Sequence, residues 1–151
     1  MKSDAARLAL VVMVLAVFGA LEELLPKFAG VGFPLLLSVA MVAAARWNVA
    51  SWAVTAIAAG AAEDALASLP PAASATFFLA SAALVHWGEM RRLLFVLVYP
   101  AYLLWLCAWS RNHAGNLFGS LLLAAPIGAL TVAAVGCFVS FAARRAGIDE
   151  R

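Results

Sequence analysis

Apolar residues fall in six blocks, at about 8–25, 31–45, 49–69, 72–87, 93–109 and 117–143, separated by short stretches that carry charge, proline or both. A membrane-spanning helix needs roughly 20 such residues, with a usual range of about 17 to 25. The pattern therefore predicts an all-α fold, a polytopic membrane protein of about six transmembrane helices in one bundle. The second and fourth blocks are short for a span. Less tilt, extension through tryptophan-bearing ends and a partly re-entrant path are all open to them.

Composition strengthens this picture. The chain of 151 residues is 66% apolar and 12% charged, against roughly 45–50% and about 25% in soluble domains. No stretch marks a soluble module or a low-complexity linker, so residues 1–151 read as a single integral membrane domain. The apolar run that follows Lys2 and Arg7 imitates a signal peptide, but Glu22, Glu23 and Pro26 follow it without a convincing small-residue cleavage site. It reads as an uncleaved first span.

Charge adds orientation. The formal net charge is +2, but the basic residues stand singly or in pairs at block ends and form no stripe, so no nucleic-acid partner is expected. With six spans and a cytoplasmic N-terminus, the inner side receives Lys2, Arg7, Arg46, Arg91, Arg92, Arg144, Arg145 and Arg151. The outer side receives Lys27 and Arg111. That bias places both termini in the cytoplasm, as expected for a multi-pass protein of a bacterial inner membrane.

The blocks differ in texture. From Ala50 to Ala62 nearly every residue is small, which lets helix backbones approach and predicts that the third block lies inside the bundle. The fifth is bulky, with Tyr99, Tyr102 and Trp105 among leucines, and is expected to face lipid or a partner protein. Pro100 is expected to bend it. Ala124, Gly128, Val132 and Gly136 form a small-residue stripe suited to helix packing. Trp47, Trp52, Trp87, Trp105 and Trp109 lie mostly near block ends and read as headgroup-level anchors.

Candidate chemistry is sparse and acidic. Glu63 and Asp64 sit between apolar runs, where an unpaired carboxylate costs several kcal/mol. Adjacent helical residues point about 100° apart, so one can face the bundle while the other turns to a loop. The alternative to a buried functional carboxylate is a helix end with both groups solvated; a buried one would look for a partner in Arg111, His113 or Lys27. Glu22 and Glu23 form a second acidic pair on the same outer side, suited either to gathering a cation or a basic loop or simply to ending a span. Cys107 and Cys137 lie within apolar blocks as small hydrophobes. Two isolated histidines do not supply a zinc site, and no phosphate-binding or nucleophile motif is present, so neither a cofactor nor enzymatic activity is expected. An intramembrane protease of the Glu-Glu-x-x-x-Arg type is matched by Glu22, Glu23 and Lys27, but Ala82 stands where a Phe should precede His86, and Asn116 is misplaced after His113.

The segment Gly60-Ala61-Ala62-Glu63-Asp64-Ala65-Leu66, followed by Ser68-Leu69-Pro70-Pro71 and a new apolar run, resembles the MreD family of small membrane subunits of the bacterial rod-shape and cell-wall elongation machinery. On that match Asp64 corresponds to the family's intramembrane aspartate and Gly60 to its leading glycine, and Phe33-Pro34 opens a run ending at Arg46, as in the family. Leu35 stands where the family has an aspartate, and Ala72 and Ala73 replace glycines of the proline loop. The resemblance implies a non-enzymatic scaffold whose partners are the lipid bilayer, MreC-like proteins and cell-wall synthesis proteins. Candidate interaction residues are Asp64, Glu63, Gly60, Glu22 and Glu23. The family is similar in fold to the substrate-binding S components of ECF transporters, which implies an alternative role as a small-molecule-binding membrane subunit.

Overall fold

The computed structural model describes residues 2–26, 31–89, 91–109 and 117–145. Among them six helices follow one another: α1 (Lys2–Leu24), α2 (Leu35–Arg46), α3 (Val49–Leu66), α4 (Ala73–Trp87), α5 (Arg91–Trp109) and α6 (Leu117–Arg145). No strand occurs in the described residues. Each apolar block thus forms one helix, and α5 and α6 run unbroken through Pro100 and Pro126.

One stretch, Gly119–Arg145, is long and apolar enough to cross a membrane; Leu35–Arg46, Ala73–Trp87 and Leu93–Ala108 are shorter apolar helices. At 1.5 Å per residue α2 is only about 18 Å long and α4 about 22 Å. Their shortness has a structural counterpart. The segment before α2 is extended yet buried: Val31 is inside the core, and the Tyr99 hydroxyl donates to the Gly32 carbonyl at 2.6 Å. Irregular backbone of this kind is tolerated in an apolar setting only where protein supplies its hydrogen bonds.

The centre of the bundle is α2, not α3. Every residue from Leu35 to Ala44 is buried, and α2 packs against all five other helices. It belongs to two cores at once. Leu36, Leu37, Ala40 and Met41 join α3, α4 and α5, with Phe78 at their heart, while Leu35, Val39 and Val42 join α1 and α6. A helix with no polar face can do this; its one polar side chain before Arg46, Ser38, donates back to the Pro34 carbonyl within its own first turn. The small residues of α3 serve a different end. They let one face, at Ala56, Ala59 and Gly60, press closely on its neighbours, while Val54 and Ile57 stay exposed on the other.

The small stripe of α6 lies in packing interfaces. Ala124 is fully buried, a Cβ on Gly128 would stand 2.7 Å from the Tyr99 Cβ, and one on Gly136 would stand 3.7 Å from Val42. Two glycines therefore seat α6 against α5 and α2 together.

Charge is segregated along the bundle. At one end the Arg46 guanidinium donates to the Ser140 hydroxyl, tying the last turn of α2 to α6 five residues before its end, and His86 Nδ1 lies 2.9 Å from the Ala44 carbonyl. At the other end lie Glu22, Glu63 and Asp64, in the last turns of α1 and α3. Trp52 belongs to the first end but is no anchor. It is 2% exposed, its ring 5.5 Å from His86 and edge-on to Trp87 at 5.8 Å. Trp87, by contrast, is 68% exposed.

Candidate functional site

The acidic end is built around the starts of the two short helices. A helix leaves its first four backbone N–H groups without intrahelical acceptors, and neither lipid nor apolar side chains can satisfy them. The residues before α2 and α4, Pro34 and Ala72, have no side chain able to do so, and neither makes a capping hydrogen bond. Carboxylates from the preceding helices take that role.

Glu22 Oε2 accepts from the Leu36 N–H at 3.0 Å, and Asp64 Oδ1 accepts from the Ser74 N–H at 2.7 Å. The two arrangements repeat each other. Each carboxylate lies two residues before the end of a helix, and each receives the N–H of the second residue of the next. A negative group is also favoured there by the partial positive charge of the helix start. Each carboxylate has a glycine on its own helix face. Gly60, one turn before Asp64, lets α3 touch α4 so closely that a Cβ would stand 2.3 Å from the Ala75 Cα; Gly19, three residues before Glu22, faces Leu36.

The turn between α3 and α4 closes on Asp64 a second time. Ser68 takes a left-handed conformation (φ 52°), and the Leu69 N–H donates to the Asp64 carbonyl at 3.0 Å, the long bond of a Schellman C-cap. Ala72 is left-handed as well (φ 67°), so an alanine holds a conformation that favours glycine by about 1–2 kcal/mol. Asp64 thus ends α3 through its backbone and starts α4 through its side chain.

From the opposite side α5 completes the joint. Tyr99, Tyr102 and Trp105 recur every third residue along one face and carry polar tips inward. The Tyr102 hydroxyl lies 2.8 Å from Ser74 Oγ, Trp105 Nε1 donates to the Ala73 carbonyl at 3.0 Å, and Tyr99 reaches Gly32 as described. Of the bulky fifth helix, expected to face lipid or a partner, only Leu93, Leu97 and Leu104 are exposed among its described large apolar side chains. Its aromatic face turns inward because hydroxyl and indole N–H groups need acceptors, and the starts of α2 and α4 offer them. The signal was in the sequence as the Tyr-x-x-Tyr-x-x-Trp spacing, which separates polar-tipped aromatics from leucines.

The five candidate residues divide accordingly. Gly60, Asp64 and Glu22 form the joints; Glu63 is half-buried and near enough to Glu22 for two carboxylate charges to repel; Glu23 is exposed. Asp64 is 6% exposed, and its Oδ2 is buried without a hydrogen-bond partner among the described residues. The partner of its other oxygen is a backbone N–H rather than a basic side chain. Lys27, Arg111, His113 and Asn116 lie outside the described residues. Among the described residues, no group of three or more His, Cys, Asp or Glu is placed to hold a metal ion.

A cleft of about 190 Å³, partly open to the outside, lies between α2, α5 and α6, against the start of α2. Its walls are Pro34, Leu37, Met41, Phe95, Val98 and Val132, with Ser38, Tyr99 and Gly128. Compared with protein-family models, curated proteins and solved structures, the chain matches none.

Proposed function

We propose that this chain is a multi-pass membrane protein acting as a non-enzymatic scaffold subunit of a membrane complex, of the MreD type that serves bacterial cell-wall elongation. It would sit in the inner membrane with both termini cytoplasmic, packed by lipid and by MreC-like and cell-wall synthesis proteins. The membrane part of this reading draws on the distribution of side chains. Large apolar residues are exposed along the helices, among them Val12 and Val17 on α1, Val54 and Ile57 on α3, and Leu130 and Phe138 on α6. Charged groups gather at the two ends, the arrangement a bilayer selects.

The scaffold part is carried by one observation: Asp64, through Oδ1, and Gly60, through its bare face, join α3 to α4. Gly60 admits α4 and Asp64 starts it, which gives the MreD-like glycine and aspartate a shared mechanical purpose. The cleft between α2, α5 and α6 is mostly apolar, and its roughly 190 Å³ includes open solvent, so the space it encloses is far below the roughly 300–1,000 Å³ of ordinary small-molecule sites. It favours the scaffold over a vitamin-binding subunit of the ECF type.

Depletion of the chain in its host, followed by microscopy and by recovery of partners in mild detergent, tests the assignment. Rounded or widened cells and co-purifying elongation proteins are expected. Normal shape, with saturable small-molecule binding by the purified protein and a co-purifying ATPase module, would establish the transporter role instead.

A further inference from the structure

The basic end carries a group of contacts that the scaffold reading leaves unused. The Arg46 guanidinium donates to Ser140 Oγ, and the Ser140 carbonyl accepts from Arg144 Nε at 3.3 Å, so one serine aligns arginines from two helices. Arg145 follows immediately, its guanidinium 5.2 Å above the ring of Phe141. Three cations thus meet at the corner where α2 and α6 end. Among the described residues the carboxylates at this end are Asp4, in the first turn of α1, and Glu89, exposed beyond α4.

We propose that this corner recognises the phosphate of an anionic phospholipid. The inference rests on the membrane reading above. Guanidinium groups are planar forks that match phosphate oxygens two at a time, which makes a phosphate the natural counter-group for clustered arginines. The surroundings select a lipid over a free anion. Phe138, Phe141 and Arg145 follow at intervals of three and four residues, on one face of α6, and both phenylalanines are exposed. An acyl chain lies along the two rings while its headgroup meets the arginines, so the surface is amphiphilic in the same order as the ligand. Ser140 holds the receptor rigid by tying the Arg46 and Arg144 side chains to one residue.

Full-length protein reconstituted in bilayers, with tryptophan quenching by brominated phosphatidylglycerol compared with brominated phosphatidylcholine, measures the preference directly. The wild type should favour the anionic lipid by at least about fivefold, the worth of one arginine near a charged surface. Arg144→Gln with Arg145→Gln should bring the ratio to within about twofold of unity, and Arg144→Lys with Arg145→Lys should retain most of it. Both residues are exposed, so neither pair threatens the fold. Equal quenching by the two lipids, or an unchanged ratio in the glutamine variant, overturns the proposal. Displacement of the lipid by millimolar inorganic phosphate assigns the corner to free anions, and displacement by a soluble acidic peptide assigns it to a protein partner; either result overturns the lipid. Release of the chain from membranes by an alkaline wash removes the membrane reading itself, whereas a membrane-retained chain without lipid preference removes only this inference.

Discussion

At the scale of single residues, Asp64 illustrates how an apolar environment assigns work to a carboxylate. The sequence marks the residue by its surroundings alone, since a buried acid among alanines must be solvated, paired or neutralised. It does not reveal the partner. That partner is a backbone group ten residues away, the Ser74 N–H, and no side-chain pattern announces a backbone donor. Glu22 was a candidate too, but a Glu-Glu pair at the end of a span also has an ordinary explanation in solvation, and nothing in the pair marks the Leu36 N–H as its partner. Removing the acceptor leaves a buried N–H unmet, so Asp64→Ala should destabilise the protein by about 1–3 kcal/mol. Asp64→Asn keeps an accepting oxygen and should lose less. Denaturant unfolding in mild detergent ranks the two, and an alanine variant as stable as the wild type would show that the cap contributes nothing.

At the scale of elements, the positions of all six helices were legible from the apolar blocks; their ends fall within about four residues of the block limits, except that α1 begins six residues before its block. Their relative placement was not. Small residues predicted a central α3, yet small size promotes close approach on one face and says nothing about burial on the others. The more informative feature was the shortness of α2, since a helix too short to span must be completed by neighbours on every side. The same logic explains Gly60. A side chain there collides with the backbone of Ala75 and Ser74, and backbone cannot rotate away as a side-chain tip can. Gly60→Ala should force α3 and α4 apart, stretch the Asp64–Ser74 bond and cost about 1–3 kcal/mol. Because both changes act on one joint, the double variant with Asp64→Ala should lose less than the sum of the two. Strict additivity in a double-mutant cycle would separate the glycine from the cap.

At the scale of the whole molecule, the bundle has two unlike ends. One holds helix starts anchored by carboxylates and by the inward tips of α5; the other holds arginines and stacked rings, Trp52 between His86 and Trp87. This polarity was partly legible, because the excess of basic residues on one side of the apolar blocks already separated Arg46, Arg144 and Arg145 from Glu22, Glu63 and Asp64. What the sequence could not supply is that the acids are bound internally while the exposed arginines at the other end face outward, which makes the ends chemically different as surfaces. In an oriented membrane the two ends must then meet different compartments. Single cysteines introduced at Asn48 and Ser68, both exposed at opposite ends of α3, test this in a variant lacking Cys107 and Cys137. A membrane-impermeant maleimide applied to intact spheroplasts should label Ser68→Cys and spare Asn48→Cys until the cells are opened. Labelling of both from outside would mean that α3 does not cross. Labelling of Asn48→Cys alone would mean that the molecule is inserted with its arginines outward, against the charge bias from which its orientation is argued.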